Sequence, residues 1–229
     1  MKFFTIVKSE SERLPGKNWA LLGGKPLWRH TVDRFSGHQV FVNTDSEELL
    51  QSPPLDLPDS VHLYRRSEKH VTWESSSARF GSPVNSMLEE FYDRFVDDED
   101  EPVVLFHVTS PFVGLETVLK AAKYLEKYKS VHSIQKVADF AWLESNTEYE
   151  PINFEEHLVQ RTQDLNPILL SRGAFFITTK RGFNETKSRD ARPRFFVDIG
   201  PIEGLEIDTA DDFKLAKLVA RGMGSNEAD

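Results

Sequence analysis

The chain has 229 residues, with 28 Lys and Arg against 37 Asp and Glu and a formal charge of −9. That balance excludes a general nucleic-acid surface, which needs a basic face to release counterions. The absence of cysteine excludes disulfides, thiolate catalysis and a cysteine-ligated zinc site. No apolar run is long enough to cross a bilayer, and the apolar part of Met1–Val7 is too short for a signal peptide. The expectation is a soluble, unanchored, cytoplasmic protein forming one α/β domain.

Strand-like runs alternate with helix-like stretches. This is the pattern of a three-layer αβα fold with a mostly parallel sheet covered on both faces. The first strand is Phe3–Val7. In an open sheet of this kind ligands bind beyond the carboxyl ends of the strands, so the segment Lys8-Ser9-Glu10-Ser11-Glu12-Arg13-Leu14-Pro15-Gly16-Lys17-Asn18 enters the crevice. Lys8, Arg13 and Lys17 supply cations, and Ser11 and Asn18 supply neutral donors. Pro15-Gly16 bends the backbone so that these groups converge on one polyanion, for which a triphosphate is the natural guest. The bland alternative is a basic surface turn.

A helix over Pro26–Phe35, a strand over Gln39–Asn43 and a helix over Ser46–Gln51 come next. They lead through the proline-stiffened connection Gln51–Ser60 to a strand over Val61–Tyr64. One long helix is expected over Ser75–Phe95, where Val84, Met87, Leu88, Phe91 and Phe95 recur at helical spacing. The acidic run Asp97–Glu101 leads into a strand over Val103–Val108, then a helix over Leu115–Tyr128 and strands over Ser130–Val137, Gly173–Thr178 and Arg194–Ile199. Residues 138–170 carry no clear period. The last helix, Ala210–Arg221, has Thr209 as its expected N-cap and Asp211 and Asp212 in its first turn, where carboxylates meet the positive end of the dipole. Just before it stand Glu206 and Asp208, two apart and pointing the same way if the segment is extended. Such a pair, with substrate phosphates, suffices to hold Mg2+.

Taken in order, Leu22-Gly23-Gly24-Lys25-Pro26-Leu27, Val40-Phe41-Val42-Asn43-Thr44-Asp45-Ser46-Glu47-Glu48, Thr109-Ser110-Pro111 and Glu206-Ile207-Asp208-Thr209 resemble the acylneuraminate cytidylyltransferases, the CMP-sialic acid synthetases. The resemblance runs from about Phe3 to about Val219. It implies a Rossmann-like nucleotidyltransferase sheet in a single domain over 1–229, with 138–170 as an arm for dimerisation and acceptor binding. It also implies a homodimer that joins CMP from CTP to a 2-keto sugar acid with Mg2+, and no membrane or nucleic-acid partner.

Under that resemblance Lys17, Arg13 and Asp208 are catalytic, and Asp208 and Glu206 hold the metal. The nucleotide falls to Lys8, Ser11, Arg13, Lys17, Asn18, Arg65 and Ser76, and the sugar to His107, Gln163 and Arg172. The chain departs from the family pattern at several of these positions. Ser9-Glu10 stand where paired glycines are common, Glu206 replaces an aspartate, and Arg66 replaces a proline. His107, Val108 and Val113 replace glutamine, proline and arginine, and Arg172 replaces asparagine. The acceptor is therefore open between sialic acid, related nine-carbon acids and a shorter 3-deoxy-octulosonate type. A catalytically silent nucleotide-binding relative is the further alternative.

Overall fold

A computed structural model describes residues 1–75, 83–145, 148–158 and 160–224. Strand β1 (Lys2–Val7) leads through a loop and the small hairpin β2–β3 (Leu21–Leu22, Lys25–Pro26) into helix α1 (Leu27–Phe35). Then come β4 (Gln39–Thr44), α2 (Glu47–Gln51), β5 (Val61–Arg65), α3 (Glu68–Ser75) and α4 (Val84–Phe95). After β6 (Val103–Phe106), α5 (Leu115–Ala122) and β7 (Ser130–Val137), a second hairpin β8–β9 (Trp142–Ser145, Glu148–Pro151) precedes β10 (Ile168–Thr178). The order ends with α6 (Lys180–Thr186), β11 (Arg194–Asp198), α7 (Gly200–Glu203) and α8 (Ala210–Met223).

The main sheet runs β11-β7-β10-β6-β1-β4-β5, and only β10 is antiparallel to its neighbours. This is the mostly parallel αβα sheet expected from the alternation of elements. Its strand order reverses at β1, with β4 on one side and β6 on the other, so the crevice opens where the basic loop leaves β1.

Both faces of the sheet are apolar, because side chains alternate along each strand. Phe3, Val40, Val42 and Phe106 pack with Trp28, Val32 and Phe35 of α1 and Val118 of α5. On the other face Phe4, Phe41 and Leu105 pack with Met87, Leu88 and Phe91 of α4 and Phe183 of α6. Phe91 is fully buried and stacks on Phe4 with ring centroids 4.7 Å apart. Phe91→Ala is expected to cost about 3–5 kcal/mol through the lost burial and the cavity left behind. A urea unfolding curve checks it, and an unchanged midpoint would contradict this packing.

Four sequence expectations are corrected. The long helix over Ser75–Phe95 is two shorter ones: α4 starts at Val84 behind Pro83, and α3 is a separate piece. A proline inside a helix removes a hydrogen bond and clashes with the preceding turn. The strand expected to reach Val108 ends at Phe106, where Ser110 N–H donates to the His107 carbonyl across a turn. The helix expected to reach Tyr128 ends at Ala122 and tightens into a 3-10 turn over Lys123–Glu126. The stretch without a period contains the β8–β9 hairpin and the first half of β10. Trp142, Leu143 and Tyr149 of that hairpin are exposed, so no half-buried face imposed an alternation. The capping box at Thr209 and Asp212 is present as expected. Among the described residues no helix is long and apolar enough to cross a membrane.

Candidate active site

The loop after β1 is braced from within. Lys17 N–H donates to the Leu14 carbonyl at 3.2 Å, and Gly16 at the third position of that turn has φ +69°. Such a backbone favours glycine, and proline before it pre-sets the turn. Asn18 Nδ2 donates to the Lys8 carbonyl at 2.9 Å, and Trp19 Nε1 to the Ser9 carbonyl at 3.1 Å. Asn18 thus holds the two ends of the loop together and is buried while doing so. The Ser9 amide, which stands where paired glycines are common, donates to Asp45 Oδ1 at 2.7 Å. In this chain that amide is committed to the β4 end.

The bend brings the cations to the carboxylates. Lys17 is only 9% exposed, and its ammonium donates to Asp208 Oδ1 at 2.9 Å and to the Ile207 carbonyl at 2.8 Å. Arg13 approaches the other oxygen, Oδ2, at 2.8 Å. Between α7 and α8, Ile207 is fully buried and its N–H donates to the Thr109 carbonyl at 2.8 Å. Glu206 and Asp208, on either side of it, both line the cleft, as their two-residue spacing led one to expect.

The cleft has a volume of about 670 Å³, and Lys8, Ser11, Arg13, Lys17 and Asn18 line one side of it. His107, Thr109, Glu206 and Asp208 line another. His107 Nδ1 lies 4.0 Å from Glu206 Oε1, and Thr109 Oγ1 lies 3.5 Å from the same oxygen. Gly173 lies beside this group. It has φ +61° at an irregularity in β10, and a Cβ there would stand 3.4 Å from His107 Nδ1 and 3.8 Å from Glu206 Oε2. A glycine inside a strand often signals a bulge, and here the positive φ coincides with the irregularity in β10.

Three residues assigned to substrate are not brought into the cleft. Arg65 lies at the exposed end of β5, where it pairs bidentately with Glu47 and holds that carboxyl below its usual range. A surface arginine among acids finds the nearest carboxylate. Its neighbour Arg66 is the buried one, with its guanidinium 4.0 Å from Asp45 and donating to the His70 carbonyl. Gln163 is exposed in the 3-10 turn Thr162–Asp164, and Arg172 donates through Nε to Gln135 Oε1 at 2.8 Å. Neither lines the cleft, because the arm carries Gln163 outward and β10 aims Arg172 at β7. Ser76 lies outside the described residues.

Glu12 and Trp73 are among the lining residues that the sequence did not single out. Glu12 lines the cleft where the replaced glycine pair had directed attention to exposed Glu10. Trp73 of α3 joins Pro83 and Val84 on the remaining wall. The signal missed was an aromatic ring on a short polar helix.

A sheet with one reversed strand, a cationic loop at the end of its central strand and two carboxylates beside it define an α/β protein of the nucleotidyltransferase type. More narrowly, the chain belongs to the cytidylyltransferase family, whose model matches residues 7–196. It is 27% identical over 221 residues to the N-acylneuraminate cytidylyltransferase of Streptococcus agalactiae serotype V, covering 90% of this chain and 50% of that protein. Against the CMP-N,N'-diacetyllegionaminic acid synthase of Legionella pneumophila it is 27% identical over 235 residues, covering 95% of each. The chain thus spans about half the length of the streptococcal relatives it matches.

Among solved structures, 4-diphosphocytidyl-2C-methyl-D-erythritol synthase from Anaerococcus prevotii superposes with a TM-score of 0.63 at 13% identity, covering 96% of this chain and 98% of that one. A CMP:2-keto-3-deoxy-manno-octonic acid synthetase complexed with CTP gives 0.59 at 13% identity over 98% of each chain. These likenesses show the fold. The family and the Rossmann-like sheet expected from the ordered motifs are borne out.

Proposed function

We propose that the chain is a cytidylyltransferase that joins CMP from CTP to a 2-keto sugar acid. The observation that carries this reading is the Lys17–Asp208–Arg13 group, which assembles cations and a carboxylate in one cleft. A sugar hydroxyl attacks the α-phosphorus in line. The new P–O bond forms as the bond to the β-phosphate breaks, pyrophosphate leaves, and the hydroxyl proton is released. No covalent enzyme intermediate is needed, so the site has to position the substrates and neutralise charge. Lys17 and Arg13 transfer from Asp208 to phosphate oxygens and stabilise the departing pyrophosphate. Their prior engagement with Asp208 keeps them in place before substrate arrives.

Mg2+ suits this donor set. Glu206 and Asp208 offer only carboxylate oxygens, and among the described residues no group of three or more His, Cys, Asp or Glu could hold an ion alone. Two carboxylates completed by phosphates and water are the usual magnesium environment. When bound, the ion offsets triphosphate charge at the reacting end.

The acceptor side is read from His107, which lines the cleft and presents a ring nitrogen to a sugar hydroxyl or carboxylate. Gln163 and Arg172, in or beside the arm, would act on the acceptor only with a second chain alongside. The arm over 138–170 exposes Phe140, Trp142, Leu143, Tyr149, Ile152 and Leu158. An apolar surface of that extent supports a homodimer. A cysteine-free chain that consumes CTP suits the cytoplasm.

One experiment tests the reading. The purified protein is mixed with CTP, magnesium and a panel of sialic, legionaminic and 3-deoxy-octulosonate-type acids, and pyrophosphate is followed. Release with at least one acid, and only when CTP and metal are both present, is expected. No release with any acid would leave a catalytically silent nucleotide-binding relative.

A further inference from the structure

The cleft has one wall that the phosphate and metal chemistry does not use. Its cations come from the loop after β1, while His107, Thr109 and the acidic pair come from the β6 side. Among the described residues the remaining lining is Trp73, Pro83 and Val84, and none of these three carries a formal charge. Trp73 is 41% exposed, unlike Trp28, which is buried in the core.

The position of Trp73 follows from how α3 is held. Helix α3 leaves the end of β5, two strands from β1 on the side away from β6. His70 is almost fully buried, and its Nε2 lies 3.0 Å from Ser86 Oγ of α4. Ser67 Oγ donates to the Glu90 carboxylate at 2.6 Å. Trp73 stands three residues after His70, so the two share a helix flank. One anchors α3 on α4 and the other stands on the cleft.

The base is joined through the ribose to the α-phosphorus, so it leaves the reacting centre on a side taken neither by the departing pyrophosphate nor by the acceptor. With the loop of β1 given to the β- and γ-phosphates and the β6 side to the metal carboxylates and the acceptor, the lining left for the flat base is Trp73, Pro83 and Val84. We propose that Trp73 is the platform on which the cytosine ring stacks. This rests on the cytidylyltransferase reading and adds to it a nucleotide-positioning residue.

Binding measured without an acceptor tests the proposal independently of turnover. With magnesium present, calorimetry is run with CTP and with inorganic tripolyphosphate, which lacks a base. Loss of one base–aromatic stack weakens binding by roughly 5- to 150-fold. Trp73→Ala is expected to weaken CTP by that factor and to leave tripolyphosphate unchanged. Trp73→Phe keeps a π-face and should bind CTP within about threefold of wild type. CTP should quench tryptophan fluorescence in wild type and much less in Trp73→Ala.

Equal CTP affinity in Trp73→Ala and wild type would overturn the proposal. So would equal weakening of CTP and tripolyphosphate, which indicates a disturbed phosphate loop. A wild-type protein that binds CTP but releases no pyrophosphate with any acid ends the reaction reading, and the Trp73 assignment is still decided by its own affinities. A wild-type protein that does not bind CTP ends both.

Discussion

Lys17→Ala is expected to lower the rate of pyrophosphate release by about 10²–10³-fold, the usual cost of removing one preorganised donor from a developing negative charge. The size follows from where the ammonium sits. At 9% exposure it works in a medium where a charge acts more strongly than in water. Its two hydrogen bonds, to Asp208 and the Ile207 carbonyl, fix its position before substrate enters. The fold should survive. Asp208 keeps Arg13 as a partner, and the loop remains closed by Asn18 and Trp19. Circular dichroism and a thermal melt close to wild type should accompany the kinetic loss. Turnover within fivefold of wild type would remove Lys17 from the reaction.

The fold was more legible than the site. All seven strands of the main sheet could be read, β10 only in its second half, because each carries a short apolar run bounded by turn residues. The helix breaks were harder to see. The apolar period of Val84 to Phe95 is strong and draws the eye backward across Pro83, while α3 carries almost no apolar stripe. The β8–β9 hairpin was illegible for a related reason: its aromatic residues are exposed in the single chain, so periodicity reports nothing of the surface that covers them.

Within the site, sequence reasoning found what local geometry dictates. Pro15-Gly16 bends the loop, and the two-residue spacing of Glu206 and Asp208 goes with both carboxylates lining the same cleft. It could not place Arg65 and Arg66. Two adjacent arginines at a strand end point to opposite faces, and only the tertiary structure decides which meets the interior. Here Arg66 turns inward toward Asp45 and Arg65 outward to Glu47. The Ser9-Glu10 replacement is likewise explained only by its three-dimensional partner. The lost glycine freedom coincides with an amide bound by Asp45, so in the proposed reaction the phosphates fall to the side chains of Lys8, Arg13 and Lys17.

Asp208→Asn should give effects of opposite sign with and without magnesium, and that reversal is specific to the proposed exchange of partners. Without metal, Asp208 competes with an incoming polyphosphate for Lys17 and Arg13, which lie 2.9 and 2.8 Å from it. Removing its charge frees both cations and takes one anion from the cleft. Tripolyphosphate should then bind roughly fivefold more tightly, corresponding to the ~1 kcal/mol of a partly exposed ion pair. With magnesium, the same substitution removes a metal ligand. Turnover should fall by at least about 10²-fold, and the magnesium concentration needed for half-maximal rate should rise. Glu206→Gln removes the other carboxylate without touching the cations, so it should weaken the magnesium response without tightening metal-free tripolyphosphate binding. Calorimetry with and without magnesium, paired with pyrophosphate release, measures every arm. If Asp208→Asn weakens tripolyphosphate in both conditions, Asp208 acts as a structural brace for Lys17. If it changes neither binding nor rate, the carboxylate beside the basic loop has no part in the chemistry.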